Sequence, residues 1–268
     1  MNIRFKNRYF VLLLCLTTFF SCKKDDTATP TPPEEKPTLF SQVQGKWNAD
    51  VEIARISNPS LKQLKPSLKV QDIPRVTSVE FFSDSTYILV FNYYSAYRDK
   101  FSAEDSSTIS FAGFGNLSNI KVTGDSISFN CSYDEVPLTV KAKKATDLTI
   151  AQDKKSLLKQ WVVTREEDGE AFYSDSENDT DSTQIDFQFT ASGTFAYKMN
   201  QGSESQLMVL NWKWDPENQN SLVLYMGTDA NPYYYGVTIK IVEISDSILR
   251  IQLTNGDDDT YDLKLVKK

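Results

Sequence analysis

Apolar residues in this chain recur at every second position, in short runs broken by turn residues. Ile185-Phe187-Phe189, Phe195-Tyr197-Met199, Leu222-Leu224-Met226, Val237-Ile239-Ile241 and Tyr261-Leu263-Leu265 each line one face of a strand, with mostly polar neighbours between them. A period of two belongs to a strand with one face in a core, and a helix cannot present it as a stripe. Ser192-Gly193, Pro216 to Asn220 and Asn255-Gly256-Asp257 separate the runs as turns. The second half shows about eight such strands and the first half about seven. Regular short strands without a long helix specify small antiparallel barrels or sandwiches. The expected fold class is therefore all-β.

The halves resemble each other in order. Val43-Gln44-Gly45-Lys46-Trp47 matches Leu157-Leu158-Lys159-Gln160-Trp161, and Val79–Tyr87 resembles Ile185–Phe195 with a two-residue offset. Asn119–Val122 with Asp125–Phe129 matches Asn211–Trp214 with Asn220–Leu224. Leu138–Ala142 with Thr146–Ile150 matches Val237–Ile241 with Asp246–Ile251. A tandem duplication is the expectation, with units at 39–151 and 152–268. A short helical turn is expected before each Trp, since Leu39 and Val43 are four apart and Leu157 and Leu158 precede Trp161.

The first 38 residues carry a different signal. Arg4, Lys6 and Arg8 form a basic start, Phe10–Phe20 is almost wholly apolar, and Ser21-Cys22 follows. The apolar stretch is too short for a stable spanning helix and has the layout of a secretory signal. Residues 1–21 are thus expected to be a signal peptide, and 22–38 a tether. Pro30, Pro32, Pro33 and Pro37 punctuate a segment without large apolar residues, which suits an extended spacer.

Formal net charge is −7, and removal of residues 1–21, with three basic residues and no acid, leaves −10. That disfavours nucleic acid, which needs a positive footprint, and anionic lipid headgroups. The chain has no histidine. Ser-His-Asp and Cys-His nucleophiles, His-ligated zinc and haem, and imidazole acid–base catalysis are excluded. Carboxylate-only hydrolysis survives. Of the three cysteines, Cys15 leaves with the signal and Cys22 ends it. Cys131 is then left in an alternating strand with no partner for a disulfide.

Ser21-Cys22 resembles the lipobox of bacterial lipoproteins, in which the Cys is acylated. Phe19 and Phe20 stand where Leu and a small residue are usual, as in Bacteroidota-type sequences. Lys23-Lys24-Asp25-Asp26 resembles the export tag of surface lipoproteins of that group. The resemblance implies lipidation at Cys22 and attachment to the outer membrane by acyl chains, on its surface or its periplasmic face. The repeated β-pattern resembles the lipocalin-like domains of such lipoproteins, and Gly45-Lys46-Trp47 is similar to the Gly-x-Trp that opens a lipocalin's first strand. Lys159 stands where the second unit would have that Gly. The family implies a binding or structural role.

Three features are candidates for chemistry. Tyr233, Tyr234 and Tyr235, with Trp212, offer aromatic surface for a glycan or a small apolar molecule. Asp175, Glu177, Asp179 and Asp181 alternate as oxygen ligands for Ca²⁺ would, although Thr180 stands where an EF-hand needs Gly. The competing reading of that run is a solvated acidic loop. Phe111-Ala112-Gly113-Phe114-Gly115 lacks the third Gly and helix of a phosphate-binding loop and reads as a hinge or bulge. The leading expectation is a membrane-anchored, non-enzymatic binding module without a resident cofactor. The alternative is a structural subunit of an outer-membrane assembly that meets protein partners.

Overall fold

Alternation closes the chain into two antiparallel eight-stranded barrels in tandem. The computed structural model describes residues 37–49, 75–92, 95–133, 136–174, 182–201, 204–228, 231–256 and 259–268. The signal, Cys22, most of the tether and Asp175, Glu177, Asp179 and Asp181 lie outside the described residues. The first barrel is built from β1 (Gly45–Ala49), β2 (Val76–Phe81), β3 (Thr86–Phe91), β4 (Ser95–Ala103), β5 (Ile109–Phe111), β6 (Gly115–Thr123), β7 (Ser126–Tyr133) and β8 (Val136–Lys144). The second is built from β9 (Gln160–Glu167), β10 (Gln184–Phe189), β11 (Thr194–Gln201), β12 (Glu204–Trp214), β13 (Ser221–Thr228), β14 (Asn231–Ile244), β15 (Ile248–Thr254) and β16 (Thr260–Lys267). In each barrel the strands pair in chain order, and the last closes on the first through Trp47 opposite Lys144 and Trp161 opposite Lys267. Closure leaves no open sheet edge.

Inward positions are filled. Ile127, Phe129 and Cys131 of β7 point into the first core, and Leu249, Ile251 and Leu253 of β15 into the second. Trp47, Phe81, Tyr87, Phe91 and Phe129 are fully buried in one barrel, and Trp161, Phe187, Phe189 and Trp212 in the other. Small barrels are commonly packed solid by side chains in this way.

Both short helical turns are present. Leu39–Val43 is one α-turn capped by Thr38, whose Oγ1 accepts from Ser41 N. Gln152–Leu157 is a 3-10 turn. A third helix, Gly169–Ser174, covers part of the second barrel, where Tyr173 Oη donates to Val163 O at 2.9 Å and accepts from Ile185 N at 3.0 Å. It requires its glycine: a Cβ at Gly169 would lie 1.9 Å from Thr164 O.

The internal repeat holds for the opening strands and slides thereafter. Val79 lies opposite Trp47, and Phe187 opposite Trp161. The β2–β3 and β10–β11 hairpins therefore superpose without the two-residue offset, with Ser85 (φ 64°) and Gly193 (φ 77°) at the same left-handed position. The later correspondences are corrected. Asn119–Val122 lies on β6 but Asn211–Trp214 on β12, the fourth strand of its barrel. Leu138–Ala142 lies on β8 but Val237–Ile241 on β14, the sixth of its barrel. Amphipathic strands share one alternating pattern, so a match between two of them can slip by a whole hairpin. The eighth strand of the first barrel is supplied by β4 and β5, which flank the Glu104–Thr108 turn. Thr146–Ile150 forms no strand. It packs Leu148 and Ile150 against the second core, Leu148 N donates to Ala191 O at 2.7 Å, and Trp214 Nε1 donates to Thr149 O at 3.3 Å. The expected boundary at 151/152 thus falls after a segment that already packs on the second barrel.

Candidate functional site

The outer faces of β3 and β4 meet those of β11 and β12. Ile88, Val90, Ala196 and Val209 are buried in a small apolar cluster of their own, with Phe82, Ala96 and Leu207 packed at its edge. The sequence carries its signal. Tyr87-Ile88-Leu89-Val90-Phe91 is an unbroken apolar run, which marks a strand buried on both faces. Polar pairs border the apolar cluster. Lys46 Nζ donates to Asn211 Oδ1 at 2.6 Å, and Ser192 Oγ donates to Glu80 Oε1. Lys46 and Glu80 are both buried, directly opposite each other on β1 and β2. A cavity of about 30 Å³ lies in the seam beside Thr77, Val209 and Tyr225.

At the other side of the same seam is a wider groove of about 210 Å³. Arg98 and Lys100 reach it from β4, Asp186 and Gln188 from β10, Lys198 from β11, and Lys268 from the segment after β16. Asp186 is already engaged: Lys268 Nζ pairs with its Oδ2, Gln184 Nε2 donates to Oδ1 at 2.6 Å, and Asn200 Nδ2 donates to Oδ2 at 3.3 Å. Burial lowers the pKa of Arg98, opposed by the fields of Asp84, Asp186 and Glu80. The guanidinium stays cationic.

The predicted tyrosines are divided by the pleat. Tyr234 pairs with Tyr225 and Tyr233 with Met226, and consecutive strand residues point to opposite faces. Tyr234 stands on the outer wall, where Lys213 Nζ donates to its Oη at 2.9 Å and lies 5.2 Å from the centre of its ring. Tyr233 shares the face of Met226, which packs on the core, yet is 67% exposed, so it sits at the barrel rim. Tyr234 is 52% exposed. The backbone of Tyr235 lies in β14, and its side chain lies outside the described ones. Trp212 does not join them, which corrects its assignment to the ligand site. It is 0% exposed inside the second barrel, edge-on to Phe189 and Trp214, with Nε1 donating to Thr190 O at 3.1 Å. Alternation along β12 puts Trp212 inside and Lys213 outside.

Cys131 and the Phe111–Gly115 stretch resolve as structure. Burial pushes the Cys131 thiol up to about 12, far from a reactive thiolate. Gly113 (φ 74°) and Gly115 (φ 122°) shape the turn between β5 and β6. Among the described residues no cluster of acidic or cysteine side chains is arranged to hold a metal ion, and no helix is long and apolar enough to cross a membrane.

No known family model and no curated protein matches the chain. One solved structure similar to it is a protein of unknown function from the DUF3598 family of Nostoc punctiforme. It is 13% identical over 87% of this chain and 98% of its own, at a TM-score of 0.22, and at that likeness it carries no argument about this chain.

Proposed function

We propose that this chain is an envelope lipoprotein, anchored through Cys22, that acts without catalysis as a binding module for a glycan at the rim and outer wall of its second barrel. The carrying observation is the exposure of Tyr233 and Tyr234 on β14, at 67% and 52%, while the other aromatic side chains among the described ones are buried or half-buried. Exposed aromatic rings stack on the apolar faces of sugars, and Lys213 at Tyr234 Oη adds a hydrogen-bond donor. A small apolar ligand is the weaker choice, because the interior positions that would receive it hold Trp, Phe, Leu and Ile side chains. Glycan-array binding followed by calorimetry on the best hit tests the reading. Tyr233→Ala and Tyr234→Ala should each weaken binding about tenfold with an unchanged melting temperature, and unchanged affinity in both would refute it. The second reading, an interaction subunit of an outer-membrane assembly, is favoured by the filled barrels and by Val242, 62% exposed on the same strand.

A further inference from the structure

The groove between the barrels gathers cations in an acidic protein. The whole chain has a net charge of −7, yet Arg98, Lys100, Lys198 and Lys268 converge on one groove against Asp99 and Asp186. Asp84 and Glu80 also act electrostatically on Arg98, and Lys100 Nζ donates to the Asp84 carbonyl at 3.1 Å, which leaves Arg98 and Lys198 as the cations without a close acidic partner among the described residues. Asp186 is saturated by Lys268, Gln184 and Asn200. Asp99 shares the face of Tyr97 and Phe101, which pack on the first core, while Arg98 and Lys100 point to the other face of β4. Among the described residues no carboxylate lies within ion-pair distance of Arg98.

Gln188 supplies a second, independent observation. It lines the same groove, and its Oε1 is buried without a hydrogen-bond partner. Such orphans are rare in folded proteins and call for a missing partner. Turning the amide over exchanges Oε1 for the two donors of Nε2 at that place. The groove is then lined by the Arg98 guanidinium, the Lys198 ammonium and an amide that offers N–H donors, beside Thr86 and Gln160.

We propose that this groove binds a small oxyanion, a phosphate, sulfate or carboxylate group, held chiefly by Arg98 and Lys198 with Gln188 as the neutral donor. The guanidinium fork matches two oxygens of such a group at once. A volume of about 210 Å³ leaves room for the anion and retained water, since a water molecule takes about 30 Å³ of the liquid. The site is separate from the tyrosines of β14. Because it is built from both barrels, occupancy also ties one to the other.

The test is calorimetric titration of the purified protein, at low ionic strength, with inorganic phosphate, sodium sulfate and sodium glucuronate. The expected result is saturable one-site binding of at least one of the three. Arg98→Gln should weaken it at least tenfold and Lys198→Gln at least threefold. Lys141→Gln, which removes an exposed cation from the first barrel, should leave it unchanged. A preference for glucuronate over phosphate and sulfate would identify the source as an acidic sugar, and the reverse order a free inorganic anion. Absence of saturable binding for all three overturns the proposal. So does equal weakening by Lys141→Gln, which signals diffuse charge. If Arg98→Gln fails to fold, Lys198→Gln decides, and wild-type affinity in that variant overturns the site.

Discussion

The indole Nε1 of Trp47 donates to the carbonyl of Val43, four residues earlier, at 2.6 Å. Trp161 repeats the bond to Leu157 at 3.1 Å. Each bond ties the first strand of a barrel to the helical turn that precedes it, and in each pair both residues are buried. Trp47→Phe keeps an aromatic ring but leaves the buried Val43 carbonyl without this donor, whereas after Trp161→Phe the Leu157 carbonyl still accepts from Lys159 N at 2.8 Å. Trp47→Phe should cost about 2–3 kcal/mol, from the lost bond and the unsatisfied acceptor, and Trp161→Phe about 1 kcal/mol, from the lost bond alone. Urea unfolding followed by circular dichroism measures this, and a cost below about 0.5 kcal/mol would show that the bond is incidental.

Gly169 leaves no room for a side chain, since a Cβ would sit 1.9 Å from the carbonyl oxygen of Thr164. The obstacle is backbone, which cannot swing away as a flexible side chain does. Gly169→Ala should displace the helix Gly169–Ser174 and break the Tyr173 bonds to Val163 and Ile185, at a cost of about 2–4 kcal/mol. Differential scanning calorimetry should show a clear fall in melting temperature.

The seam should couple the two barrels in unfolding. Ile88 and Val209 are buried in a cluster drawn from both. A single unfolding transition is expected for the native chain. Ile88→Asp places an uncompensated carboxylate in that cluster and should resolve the endotherm into two. A single sharp endotherm in the variant would mean that the barrels are coupled elsewhere.

Alkaline stability follows from the tyrosines. Burial pushes Tyr197 up to about 12 from its ordinary 10, with a smaller push from Tyr173, and burial also raises Tyr87. The unfolded chain therefore gives up these protons first. Between pH 10 and 12 the folded state binds more protons than the unfolded one, so stability falls as pH rises through that window. Tyr197→Phe should flatten the decline in urea midpoints measured from pH 9 to 12.

Cys131 gives a chemical counterpart. With the thiol buried and its pKa raised to about 12, Ellman's reagent at pH 8 should react only as fast as the chain opens. In urea it should react at once. Rapid labelling of the native chain, with Cys15 and Cys22 replaced by serine, would contradict the burial.

The all-β class and the eight-stranded second half were legible because period two is a local property, written into each strand separately. The Trp-anchored start was legible for the same reason. Pairing partners were not: nothing in Asn211–Trp214 taken alone says whether it is a fourth or a sixth strand. The tyrosine run was legible as residues and not as a surface. Tyr233 and Tyr234 are adjacent in sequence, and in a strand adjacency means opposite faces. Trp212 followed the ordinary rule that an alternating aromatic belongs to the core. The groove was invisible in the sequence, since Arg98 and Lys198 stand 100 positions apart and meet only because two outer walls touch. The unbroken Tyr87–Phe91 run was the one local hint of that meeting.

The stretch from Ala145 to Ile150 gives the two barrels unequal independence. Leu148 lies against Gly193, and Thr149 accepts from Trp214, so the second barrel leans on the strip of chain leaving the first. A transplantable cassette for the second barrel therefore begins at Ala145 and not at its own entry turn. A protease would also find no slack hinge there, because the connection is itself part of the wall.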